Sequence, residues 1–178
     1  TAPKVGDDKT PHLGHAMASL WLLGICPVDE VWWVPTARHA FGKTLAAFDL
    51  RVALCEQAAR HLRGVRVEPI ESSLPGESRT IDTLEEMQAV YPEVQFSVAF
   101  GADLAETLPT FKRWTDLAKR FPVYLVPRSP WSGELGIPNV SSSAARDALR
   151  RADVRWLETW LDASVLAQLT NGRLRPHD

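Results

Sequence analysis

Phe48-Asp-Leu-Arg-Val-Ala-Leu-Cys-Glu-Gln-Ala-Ala-Arg-His-Leu62, then Gly64, then Val65-Arg-Val-Glu-Pro-Ile70, is the stretch that decides the fold. Its first part carries apolar residues at helical spacing, Gly64 stops it, and the residues after the glycine alternate as a strand does. The same alternation runs outward in both directions. Upstream, residues 15–24 read as a helix that ends at Gly24 and Pro27, and Glu30-Val-Trp-Trp-Val-Pro35 reads as a short strand cut by proline. Downstream, Ile81 to Tyr91 reads as a helix closed by Pro92, and Val94 to Phe100 as a buried strand. Leu104 to Arg120 is mostly helical with a break near Pro109, and Pro122 to Val126 is another strand. Ser142 to Arg151 and Val154 to Leu169 complete the helices, and residues 127–139, rich in proline and glycine, read as a surface loop. Strands alternating with helices predict an α/β fold, a parallel sheet with helices on both faces, which binds ligands at the carboxyl ends of its strands.

With 178 residues, 45% of them hydrophobic and 24% charged, the chain is expected to form a single domain with a real core. A net charge of −2 and the lack of a basic tract give no reason to expect nucleic-acid binding. No apolar run is long enough to span a bilayer and no signal peptide is visible, so no membrane partner is expected. Cys26 and Cys55 fit no metal pattern, and a reduced cytoplasmic protein is the default expectation.

Two segments carry chemistry. In Thr10-Pro-His-Leu-Gly-His15, Thr10 reads as an N-cap and Pro11 as the first helical residue. His12 and His15, three apart, then share one face of the first turn, where free amides and the helix dipole attract anions. Gly14 lets a phosphate approach the backbone, and a histidine so placed can steady charge that builds on a phosphoryl group. The same residues also read as a capped helix with two ordinary histidines, or as a zinc pair that lacks further ligands at the right spacing. Val140-Ser-Ser-Ser-Ala-Ala-Arg146 puts serines at a second helix start with an arginine one turn in. Hydroxyls, amides and a guanidinium fork could surround phosphate oxygens there, or the serines could simply cap a helix with a solvated Arg146.

Together the two segments resemble the nucleotidyltransferase superfamily of Rossmann-like adenylyl- and cytidylyltransferases, marked by a His-any-Gly-His motif and an Ile-Ser-Ser-Thr-any-Ile-Arg motif. Thr80-Ile-Asp-Thr-Leu84, Phe100-Gly-Ala-Asp103 with Trp114 following, Phe48-Asp-Leu-Arg51 and Val126-Pro-Arg128 narrow the likeness to the bacterial nicotinate-nucleotide adenylyltransferases, over about residues 11 to 170. The resemblance implies an enzyme of NAD biosynthesis that joins ATP and a pyridine mononucleotide, nicotinate or nicotinamide, with release of pyrophosphate. It implies that His12 and His15 contact the ATP phosphates, His15 nearest the reacting centre, and that Ser142, Ser143 and Arg146 hold the triphosphate. Gly101 and Asp103 would line the ATP nucleoside site, Lys43 would bind phosphate, and Thr83 and Trp114 would form the pyridine-nucleotide pocket. Trp114 also reads as core packing, Asp103 as a helix cap and Lys43 as plain surface. Magnesium would come with ATP, held by its oxygens and water, with no metal site in the protein. A nucleotide-binding paralogue with weak catalysis, and an adenylyltransferase for another phosphorylated acceptor such as phosphopantetheine, are the rival readings. Oligomeric state is left open, a homo-oligomer among the options.

The sequence departs from the family at its start. Members begin with a strand running into a Gly-Gly-Ser/Thr-Phe-Asp/Asn-Pro turn, where Thr1-Ala-Pro-Lys-Val-Gly-Asp-Asp-Lys-Thr10 stands here. Either this start is abnormal or the residues before Pro11 do not represent an intact native beginning. Residues 1–9 are therefore expected not to form a regular central strand, and the phosphate cradle at His12 and His15 is expected to be weakened. His39 is separated from Lys43, which usually follows it directly; Arg79 stands where an aromatic is common, and Arg173-Leu174 replaces a terminal Leu-Tyr.

Overall fold

The computed structural model contains two short parallel strand pairs among its described residues. The structure describes residues 11–38, 47–77, 79–128 and 140–170. Two compact units emerge, one from residues 1–69 with 140–178 and one from residues 70–139.

The first unit contains α1 (Leu13–Ile25), β1 (Val31–Trp33), α2 (Phe48–Ala59), β2 (Val65–Val67), α5 (Ser142–Arg151), α6 (Val154–Trp160) and α7 (Ala163–Thr170). β1 and β2 pair in parallel, Val31 opposite Val65 and Trp33 opposite Val67. Gly64 has a φ of 77°, a conformation that favours glycine, and so turns the chain from α2 into β2. The Gly64 carbonyl takes the Val31 N–H at 2.8 Å, which registers the two strands. Arg51 of α2 is buried, and its guanidinium donates to the carbonyls of Thr36 and Ala37, the chain that leaves β1. Ala145, Ala148, Leu157, Leu161 and Leu166 form a core in which the two alanines let α6 approach α5 closely.

The second unit contains α3 (Thr80–Val90), β3 (Val98–Gly101), α4 (Trp114–Arg120) and β4 (Val123–Val126), with short 3₁₀ turns at Ile70–Ser72, Ala102–Leu104 and Leu108–Thr110. β3 and β4 are parallel, Val98 opposite Val123 and Gly101 opposite Val126. Ile81, Leu84, Leu117 and Phe121 make its core, with Trp114, Phe96 and Val123 packed against them.

The α/β class and parallel pairing follow the sequence; several boundaries do not. The strand expected from Val94 begins only at Val98, and it is half-buried rather than buried. The Gln88 side chain donates to the carbonyls of Tyr91, Pro92 and Val94, which holds that stretch in a turn. The helix expected over 104–120 resolves into two 3₁₀ turns and α4. Pro109 opens the second turn, and Arg113, at φ 53°, interrupts the chain before Trp114. The helix expected over 154–169 divides at Asp162, whose carboxylate takes the Ser164 N–H at 2.9 Å and starts a new helix. The expectations for residues 1–9, the Thr10 cap, Lys43, the rest of the loop from 129 to 139 and the terminal Arg173-Leu174 lie outside the described residues. Among the described residues, no helix is long and apolar enough to cross a membrane.

Candidate active site

α1 starts later than its sequence suggests. His12 is the N-cap, with φ −139° and ψ 167°, and Leu13 rather than Pro11 is the first helical residue. The reason lies in the two histidines. The His15 N–H donates to the His12 carbonyl at 2.9 Å, and the His12 N–H donates to His15 Nδ1 at 3.2 Å. That reciprocal arrangement satisfies groups a helix start would leave open. It also fixes the His15 tautomer: a ring whose Nδ1 accepts carries its proton on Nε2. His12 is buried, and the two rings lie 4.0 Å apart, centroid to centroid.

α5 starts beside it. Ser141 is the N-cap, and its hydroxyl accepts from the Ala144 N–H at 3.1 Å. Ser142 and Ser143 are therefore the first two helical residues, and the Arg146 guanidinium donates to the Ser143 hydroxyl at 2.8 Å. A Cβ placed on Gly14 would stand 3.4 Å from Val140 Cβ and 2.7 Å from His12 Nδ1. The missing side chain is what leaves room for the His12 ring, and the beginning of α5 lies at contact distance from the beginning of α1. His12, His15, Ser142, Ser143 and Arg146 thus come from two adjoining helix starts. Ser141 was absent from the sequence's candidates; its offset of three residues from Ala144 is an N-cap signal present in the sequence.

In the second unit, Gly101 and Asp103 stand at the carboxyl end of β3. Asp103 caps no helix. Its Oδ2 accepts from Arg128 Nη1 at 3.0 Å, so the pair bridges the carboxyl ends of β3 and β4. Gly101 makes that possible, because a Cβ there would lie 2.3 Å from Asp103 Oδ1. Thr83 is buried, and its hydroxyl lies 2.8 Å from Glu71 Oε1 and 3.1 Å from the Arg79 carbonyl. Trp114 is half-buried against Leu117 and its neighbours, with its ring edge-on to Phe100 at 6.2 Å. Both of these side chains therefore contribute to packing. Arg79, where the family often has an aromatic, pairs with Glu77. Among the described residues, no group of three or more His, Cys, Asp or Glu could hold a metal ion.

Parallel strands alternating with helices, and two helix starts joined through a glycine, define the class as the nucleotidyltransferase fold. The solved nicotinic acid mononucleotide adenylyltransferase of Plasmodium falciparum, complexed with NaAD, superposes with a TM-score of 0.68 over 92% of this chain and 90% of its own, at 17% identity. No family model matches the chain. A protein of Anaeromyxobacter dehalogenans named a probable nicotinate-nucleotide adenylyltransferase is 38% identical over 159 residues, 85% of each chain. One of the same name from Myxococcus xanthus is 33% identical over 153 residues, 83% of this chain and 80% of its own. The chain belongs to the nicotinate-nucleotide adenylyltransferase family.

Proposed function

We propose that this protein transfers the adenylyl group of ATP to nicotinate mononucleotide, working as one catalytic domain in NAD biosynthesis. The observation that supports the reading is the approach of the two helix starts, where a Cβ on Gly14 would stand 3.4 Å from Val140 Cβ; His12 and His15 lie on one and Ser142, Ser143 and Arg146 on the other. The names of the relatives at 33–38% identity favour nicotinate mononucleotide as the acceptor. An oxygen of the mononucleotide's 5′-phosphate attacks the α-phosphorus of ATP. The new P–O bond forms as the bond to the bridging oxygen breaks, and pyrophosphate leaves with that electron pair. No side chain acts as a nucleophile. Positioning and charge stabilisation carry the rate.

His15 donates from Nε2 to a phosphoryl oxygen on which charge builds, and Arg146 with the α5 amides grips the β- and γ-phosphates. Gly101 and Asp103 take the ATP nucleoside, with Arg128 paired to the Asp103 carboxylate. Thr83 and Trp114 belong to the acceptor side, and Lys43 adds a phosphate contact. Magnesium would be held by ATP oxygens and water, where it supplies charge neutralisation.

Pyrophosphate release by the purified protein, assayed with nicotinate mononucleotide, nicotinamide mononucleotide and phosphopantetheine in turn, tests the reading. Turnover with nicotinate mononucleotide is expected. Turnover with phosphopantetheine alone would reassign the acceptor, and ATP binding without release from any of the three would make this a binding paralogue.

A further inference from the structure

We infer that Ser19 and Trp33 are positioning residues for His15, locking the imidazole so that its Nε2–H stays aimed at the reacting phosphate. The inference rests on the adenylyl-transfer reading for the role of His15, and on three contacts for its substance. Trp33, the last residue of β1, donates from Nε1 to the Ser19 hydroxyl at 2.8 Å. Ser19, buried in α1 at 1% exposure, donates from the same hydroxyl to the His15 carbonyl at 2.9 Å. The Trp33 ring also lies 5.8 Å from the His15 ring, tilted by 58°.

The directions are fixed by chemistry. An indole nitrogen only donates, so the Ser19 oxygen must accept from it and spend its own proton on the carbonyl. A buried indole N–H needs such a partner, and Ser19 supplies it inside the helix. The result is a latch from the end of a strand to the backbone of His15, one helical turn below Ser19. The imidazole itself is bounded by the Trp33 ring and by the His12 ring 4.0 Å away, while the His12 N–H holds Nδ1. Rotation about the ring's χ2 would break that hydrogen bond and turn the Nε2 proton away. Trp33 and Ser19 restrict this rotation without touching substrate.

The test uses three variants of the whole protein. Trp33→Leu removes ring and donor, Trp33→Phe keeps an aromatic wall without the donor, and Ser19→Ala removes the bridge. Trp33→Leu is expected to lower kcat by about 10- to 100-fold, the scale of small misplacements at a reacting centre, with the KM for ATP nearly unchanged. Trp33→Phe should recover part of that loss, and Ser19→Ala should fall in the same direction. Imidazole ¹⁵N spectra supply a readout independent of turnover. His15 should be one Nε2–H tautomer in the parent protein and a mixture in Trp33→Leu and Ser19→Ala. Folded variants with unchanged kcat and an unchanged tautomer would overturn the inference, as would kcat and KM moving together with only the melting temperature altered. If the parent protein releases no pyrophosphate, the adenylyl-transfer reading fails, while the ¹⁵N spectra still decide whether the latch holds the ring.

Discussion

A methyl group on Gly14 would meet both His12 Nδ1, at 2.7 Å, and Val140 Cβ, at 3.4 Å. Val140 stands at ordinary contact distance, so what Gly14→Ala has to push is the buried His12 ring. If phosphates are gripped there, that displacement disturbs the grip. Gly14→Ala is expected to lower kcat/KM by about 10- to 100-fold. Because alanine is a better helix former than the glycine it replaces, the helical circular dichroism should not fall below that of the parent; lost helix signal would show that the glycine serves folding instead. His15→Ala differs in kind, since on the proposed mechanism it removes a donor that acts on charge formed in the transition state. It should lower kcat and kcat/KM together, by on the order of 100- to 1000-fold. Steady-state kinetics with unchanged turnover would return His15 to an ordinary capping role.

α5 ends on Ala152 with φ 52° and ψ 40°, a left-handed conformation that costs an alanine about 1 kcal/mol and a glycine almost nothing. Its N–H still reaches the Ala148 and Leu149 carbonyls, and Ala152 is exposed. Ala152→Gly should therefore stabilise the protein by up to about 1 kcal/mol in denaturant titration, less the glycine's extra freedom in the unfolded chain. A loss of stability would mean that the αL cap does not form in solution. α4 begins with Trp114. The ring packs on the Ile81 and Leu117 core, so Trp114→Ala is expected to cost roughly 2–3 kcal/mol, less than a fully buried tryptophan would. If Trp114 also faces the acceptor, the same variant, assayed well below its melting temperature, should raise the KM for nicotinate mononucleotide far more than that for ATP. Equal rises in both would assign the ring to the core alone.

At the scale of the molecule, the strongest charge network binds α3 to the chain around α4 within the second unit. Glu85 accepts from both Arg113 nitrogens, at 2.9 and 3.0 Å, and from Arg120. The hydrogen bonds from Arg113, then those from Arg120, hold its carboxyl down at about 2, against an ordinary 4.5. A depressed carboxyl pKa stabilises the folded state above the ordinary value and loses that contribution as pH falls through the folded one. The stability difference between the parent and Glu85→Gln should be constant above pH 4.5 and shrink between there and about 2. The groups are about one-third exposed, so the difference should also shrink in high salt. A difference independent of pH across that window would show that Glu85 contributes by packing and not by charge.

Much of this protein is local, and the sequence by itself determined it. Helical spacing placed α2, α3 and α5 within a few residues of their ends, because an amphipathic period and a stop such as Gly64 act over one or two turns. The histidine pair and the serine cluster were legible as helix starts for the same reason. Tertiary structure decided the rest. That His12 caps α1 depends on the His15 ring folding back onto the His12 N–H, a choice that no propensity scale contains. That Val140 lies against Gly14, that Arg128 meets Asp103, and that Trp33 reaches Ser19 each join residues at least fourteen apart in the chain. The Thr83 hydroxyl and the Trp114 ring were read as pocket groups, yet both also hold the second unit together. Packing chooses such pairs by shape, and shape belongs to the assembled elements; the sequence named the chemical groups, and only folding decided which of them could meet.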